Sequence, residues 1–219
     1  MVDVLSQIGA VTRELRIDEV DGEKFHVQSL EQSYPSPIDD VWDAMTSPER
    51  IQRWFLPVSG DLRVGGRYQF EGQAGGEVLE CEPPADAAAG SARVFVTWEF
   101  GGGVTWLAVR LTAQSGGTTL RLEHVAKASE VPAEMWEAFG PGATGVGWDG
   151  GLLGLSLHLG AVEGSLAPSE AQAWAATDEG RQFYRGAADA WGSAHAASGV
   201  DAAVAAQAAD ATYGFYAGT

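Results

Sequence analysis

Hydrophobic and polar positions change period several times along the chain, and each change marks an element. Val4, Ile8, Val11 and Leu15 stand at helical spacing and predict a short amphipathic helix over the opening segment, residues 1–22. Residues 24–34, KFHVQSLEQSY, carry the irregular alternation of a strand. SPIDDVWDAM then opens a helix: Ser36 is a candidate cap, Pro37 suits the first turn, and Asp39 and Asp40 favour the positive end of the helix dipole. Ile38, Val41, Trp42 and Met45 fall at i, i+3, i+4 and i+7, so this helix buries one face. SPERIQRWF repeats the device with Ser47, Pro48, Ile51, Trp54 and Phe55.

Five strand-like stretches follow: DLRVGGRYQFEG, GGEVLECEPP, ARVFVTWEF, VTWLAVRLTA and TTLRLEHVAK. Turns rich in Gly or Pro separate them, which makes an antiparallel meander the natural arrangement. Val94, Val96, Trp98 and Phe100 share one face of their strand, Leu107, Val109 and Leu111 a face of the next, and Leu120, Leu122 and His124 a face of the last. VPAEMWEAF reads as one or two helical turns. GATGVGWDGGLLGLSLHLGA reads as a long helix whose Trp148, Leu152, Leu155 and Leu159 make a stripe suited to lie across a sheet. The order predicts an α+β fold, one curved antiparallel sheet with a long helix packed on it.

Beyond Val162 the chain becomes Ala-rich and loses its strand signal. Thr177 can cap a helix carrying Phe183, Ala187, Ala190, Trp191 and Ala194. Gly199 can end it, and Asp201 can cap another bearing Val204, Ala208, Ala211 and Phe215. This predicts a helical hairpin over 162–219 that docks on the core or on a second subunit, the latter making a homodimer through the C-terminal helices.

Composition narrows the function. The 219 residues hold 13 Lys and Arg against 30 Asp and Glu, a formal net charge of −17. That balance argues against a nucleic-acid surface and against an anionic membrane. Cys81 is the single cysteine, so an internal disulfide and a Cys-rich zinc site are excluded, and the residue reads as an apolar filler in a strand. The N-terminus lacks the apolar core of a signal peptide, and GLLGLSLHLGAV is too short to span a bilayer, so a cytoplasmic protein is expected.

GPGATG, residues 140–145, spells G-x-G-x-x-G. A dinucleotide loop needs a strand feeding it and a βαβ unit around it, whereas AEMWEAF before it reads as helix and every strand has already passed. No nucleotide, and no other cofactor, is expected. GLSLH falls short of a nucleophile elbow and places Ser156 inside a helix. The four histidines have no ligand-pair spacing, so no metal is expected either.

SYPSPIDDVWDAMTSPERIQRWFLP, GDLRVGGRYQFEG, VTWEF and TTLRLEHVA, in this order, resemble the SRPBCC (START-like, birch-allergen-like) superfamily, and within it the branch of heat-shock ATPase activator homologues. The resemblance covers residues 23–161. It implies the helix-grip fold, in which a curved antiparallel sheet wraps a long C-terminal helix around a cavity. Carried over residue by residue, it implies a ligand-binding lining of Trp42, Trp54, Phe55, Tyr68, Phe70, Trp98, Phe100, Trp106, Leu122, His124, Trp148 and Leu152. Trp106 sits against the apolar parity of Leu107, Val109 and Leu111. His124 is the first candidate for any proton transfer. Aromatic walls suit a planar, apolar ligand, so the partner expected is a hydrophobic small molecule. Three functions are compatible with the resemblance. One is binding or sequestration of a polycyclic natural product, including sacrificial enediyne self-resistance through a glycine hydrogen. Another is a polyketide aromatase/cyclase using His124, Tyr68, Arg110 or Glu99. The third is a chaperone-associated interaction domain.

Overall fold

The computed structural model describes residues 1–85 and 90–218. A short helix α1 (Val4–Ala10) leads into strands β1 (Thr12–Val20) and β2 (Glu23–Tyr34), then helices α2 (Ile38–Thr46) and α3 (Pro48–Ile51). Six strands follow: β3 (Val58–Gly60), β4 (Arg67–Phe70), β5 (Gly75–Glu82), β6 (Ser91–Phe100), β7 (Gly103–Gln114) and β8 (Gly117–Lys127). Helices α4 (Ala133–Phe139), α5 (Gly142–His158), α6 (Ala171–Ala175), α7 (Asp178–Ala197) and α8 (Ala202–Ala217) complete the described chain. The eight strands form one antiparallel sheet in the order β1-β2-β8-β7-β6-β5-β4-β3. The meander from β3 to β8 closes back onto β2, and α5 lies against the inner face. This is the α+β helix-grip architecture.

The opening segment departs from the helical expectation. Residues 12–20 form a strand paired with β2, and the sheet therefore begins inside the stretch read as helix. Val11 and Leu15 satisfy a helical i, i+4 spacing, but positions 11, 13 and 15 equally satisfy a period of two. The Asp21-Gly22 turn decides between them, since both residues have positive φ (52° and 81°), as a two-residue hairpin turn requires. Two caps differ as well. Pro37 rather than Ser36 occupies the N-cap of α2, with no side chain capping that end. At α3 the Ser47 hydroxyl donates to the Glu49 carboxylate at 3.0 Å instead of accepting from the backbone.

The main core lies between the inner sheet face, α2, α5 and α7. Leu30, Tyr34, Ile38, Val41, Leu111 and Trp191 are buried there. Thr177 caps α7 by accepting from the Gly180 N–H, and Asp201 caps α8 by accepting from the N–H groups of Ala203 and Val204. Phe183, Ala187, Trp191 and Ala194 of α7 face inward, so this stripe docks on the chain's own core. Helix α8 buries Ala205, Ala208, Ala209 and Thr212; of the expected stripe Ala208 is buried, whereas Val204 and Phe215 are exposed. The reason is close approach: a Cβ on Gly192 would lie 2.9 Å from Ala209 Cβ, and only small side chains fit in that seam.

Asp149, on α5, joins three elements. It accepts from Arg13 of β1 at 2.7–3.1 Å and from the Trp191 indole N–H of α7 at 2.9 Å. Side-chain exposures of 4% for Arg13 and 1% for Asp149 make this a buried ion pair, fully hydrogen-bonded as burial demands.

Candidate functional site

The inward parity of the strands, the α2–α3 segment and one face of α5 enclose a cavity of about 180 Å³. Trp54, Phe55, Tyr68, Phe70, Trp98, Leu122, Trp148 and Leu152 of the expected lining stand around it. Rings run from one side to the other in contact: Trp54 to Phe55 (5.8 Å between centroids), Phe55 to Phe70 (5.1 Å), Phe70 to Trp98 (5.8 Å) and Trp98 to Trp148 (4.9 Å). Two polar tips in this wall are already engaged. The Trp54 indole N–H donates to the Ala44 carbonyl at 2.9 Å, and the Tyr68 hydroxyl donates to the Thr97 carbonyl at 2.6 Å. Burial raises the Tyr68 phenol above its ordinary range and raises the Cys81 thiol, so neither is poised as a base or nucleophile.

Four expected residues stand outside the lining. Trp106 points to the opposite sheet face and packs edge-on against Phe25 at 6.5 Å, following the parity of its strand. Phe100 has the inward parity but ends β6 beside a glycine turn and is 60% exposed. Trp42 packs against the main core, one helical turn before the Met45 and Thr46 that do face the cavity. His124 is buried edge-on against Trp148, with ring centroids 5.5 Å apart, and is not among the residues that line the open volume. Burial lowers its pKa to about 4, so the ring is neutral at pH 7. Arg110 is exposed. Glu99 is tied to Arg67 at 2.6 Å.

Sequence reasoning passed over Met45, Ile51, Leu62, Val78 and Leu107, all of which line the cavity. Leu107 was readable from its parity with Val109, but Leu62 sits in a loop with no periodic signal.

The α5 glycines divide by face. A Cβ on Gly145 would collide with the Trp191 ring, and one on Gly154 with the Trp54 carbonyl oxygen. At Gly150 and Gly151 it would meet nothing within 4 Å, and Gly151 lines the cavity. The G-x-G-x-x-G positions are likewise packed within the protein. Gly140 ends α4 with φ +53° against His195, Gly142 faces Thr212, and Gly145 faces Trp191. Among the described residues no group of three or more His, Cys, Asp or Glu side chains is arranged to hold a metal ion, and no helix is long and apolar enough to cross a membrane.

Comparison with the curated proteins finds no match. Among solved structures, the solution structure of CalU16 from Micromonospora echinospora is 30% identical, with TM-score 0.63 over 86% of this chain and 94% of that one. The crystal structure of CalU16 is 32% identical, with TM-score 0.56 over 68% of this chain and 86% of that one. The family model described as Activator of Hsp90 ATPase homolog 1-like protein matches residues 35–156, from the start of α2 through most of α5, and with more than half its length matched the chain belongs to that family.

Proposed function

We propose that the protein binds a hydrophobic aromatic small molecule in the cavity between α5 and the sheet, and sequesters it rather than turning it over. The observation that carries this reading is the lining itself: contacting aromatic rings around an open volume, with the polar tips of Trp54 and Tyr68 already hydrogen-bonded to backbone. Cores normally pack to near crystal density, and an apolar void of this size forfeits contacts a filled core would have. At about 180 Å³ it is close to the roughly 150 Å³ apolar cavity that accepts benzene, and smaller than the ~300–1,000 Å³ of drug-sized sites. One or two fused rings fit the volume as it stands. A larger polycyclic natural product would need the Trp54, Phe55 or Trp148 walls to turn outward.

Binding is favoured over an aromatase/cyclase role because Arg110 and Glu99 do not line the cavity and no acid–base pair among the described residues faces it. Sequestration of a reactive enediyne is a finer form of the same reading, which Gly151 supports: its backbone borders the cavity with no side chain to shield the Cα–H. The test is ligand-induced thermal stabilisation across a panel of aromatic polyketides, with Gly151→Leu as the blocked cavity. Wild-type protein should be stabilised and the variant should not. Equal responses in both, or none in either, would overturn the reading.

A further inference from the structure

His124 carries a hydrogen-bonding deficit that the cavity reading alone does not explain. Its ring is 5% exposed, and Nδ1 is buried with no partner among the described residues. The tautomer follows from the other nitrogen. Nε2 lies 2.8 Å from Thr105 Oγ1, and that hydroxyl spends its one proton on the Trp98 carbonyl at 3.1 Å. Thr105 Oγ1 must therefore accept, Nε2 carries the hydrogen, and Nδ1 is left as a bare acceptor. A buried acceptor without a donor is unfavourable unless something supplies one.

Two neighbours of the ring border the cavity. His124 is the cross-strand neighbour of Leu107, and it meets Trp148 edge-on; both of these residues line the cavity. The Trp148 indole N–H has no hydrogen bond among the described residues, unlike those of Trp54, Trp174 and Trp191. On the same helix Gly151, one turn on and also lining the cavity, leaves open space where a side chain would stand. No hydrogen bond among the described residues fixes the indole beside His124.

We propose that His124 is the polar anchor of the cavity, reached when the Trp148 indole turns aside, and that the ligand is an aromatic molecule bearing a hydrogen-bond donor such as a phenolic or enolic hydroxyl. This rests on the cavity reading above and narrows its ligand class. The hydroxyl donates to Nδ1 while Nε2 continues to donate to Thr105, so no proton changes owner.

The experiment uses a matched pair of probes, 2-naphthol and naphthalene, titrated into the full chain and followed by NMR chemical shifts. The ratio of their dissociation constants in wild type is compared with that in His124→Leu and in His124→Asn, whose amide oxygen keeps an acceptor near the Nδ1 position. The expected result is a loss of relative naphthol affinity of about tenfold in the Leu variant, the size of one net hydrogen bond, with partial recovery in the Asn variant. In wild type, the His124 Nδ1 nitrogen resonance should move with 2-naphthol and stay fixed with naphthalene, a readout that decides the matter even if a variant fails to fold. If both probes bind but the ratio is unchanged in the Leu variant, or the Nδ1 resonance does not respond, the anchor is overturned while the cavity reading stands. If neither probe binds, both fall.

Discussion

Gly151 and Gly154 lie three residues apart on α5, and alanine at each should give opposite results. Both replacements remove the backbone entropy that glycine loses in a helix, a gain of roughly 1 kcal/mol by propensity. At Gly151 the new methyl group meets no atom within 4 Å, so the whole gain is realised and the melting temperature should rise by about 2–4 °C for a chain of this size. At Gly154 the methyl group would sit inside contact distance of the Trp54 carbonyl oxygen. That atom belongs to backbone and cannot swing away, so α5 must lift from the α3 segment. Overpacking of this kind costs about 1–3 kcal/mol, which outweighs the propensity gain. Urea denaturation of the two variants beside wild type, with a check that the denaturant slope is unchanged, measures both effects. A Gly154→Ala protein as stable as wild type would refute the assignment of that face to close packing. A Gly151→Ala protein less stable than wild type would show that the space beside the helix is not open.

Other outcomes follow from the buried polar groups. Removing the cation beneath α5 with Arg13→Met should destabilise by about 3–5 kcal/mol, because Asp149 is left buried with only Trp191 to satisfy it; combining Arg13→Met with Asp149→Leu should recover much of the loss in the same urea assay. Acid should weaken the fold through His124. Its folded pKa of about 4 lies below the ordinary 6.5, so the stabilisation is complete above pH 6.5 and is lost as pH falls to 4, by about 3 kcal/mol in total. His26, His158 and His195 are lowered in the same direction, each mainly by burial. The His124 share is therefore read as the difference between wild type and His124→Gln melts across that range, and equal pH slopes would contradict it. Gly145→Ala, which drives a methyl group into the buried Trp191 ring, should destabilise more than Gly147→Ala, whose nearest neighbour is the Tyr216 hydroxyl at 3.1 Å.

The sequence carried the sheet and its helices clearly wherever period and punctuation agreed. The SP helix starts, the strand parities of β6 to β8 and the caps at Thr177 and Asp201 are local signals that tertiary packing reinforces. Two differences share a cause, since apolar spacing alone does not settle which face is buried. In β1 the same residues fit two periods, and only the Asp21-Gly22 turn breaks the tie. In α8 the inward face is chosen by smallness rather than by hydrophobicity, which no moment of apolar residues reveals, so Val204 and Phe215 face out while alanines pack. At the cavity, Trp98 and Leu122 follow the parity of their strands, whereas Tyr68 and Phe70 were implied by the family resemblance; all four line the open volume. Parity cannot say where along a strand the helix covers the sheet. Phe100 therefore passes beyond the covered region, and His124 packs edge-on against Trp148.

The Asp149 clasp also bears on the order in which the chain can be completed during synthesis. It joins residues 13, 149 and 191, and its hydrogen bonds bridge separations of 136 and 42 residues. The strand nearest the N-terminus therefore has its arginine waiting until α5 has emerged from the ribosome, and the carboxylate between them is not fully satisfied until α7 follows. Contacts this far apart in sequence favour slow closure. A nascent chain halted before α7 should hold β1 loosely, open to protease, and should tighten only when Trp191 arrives.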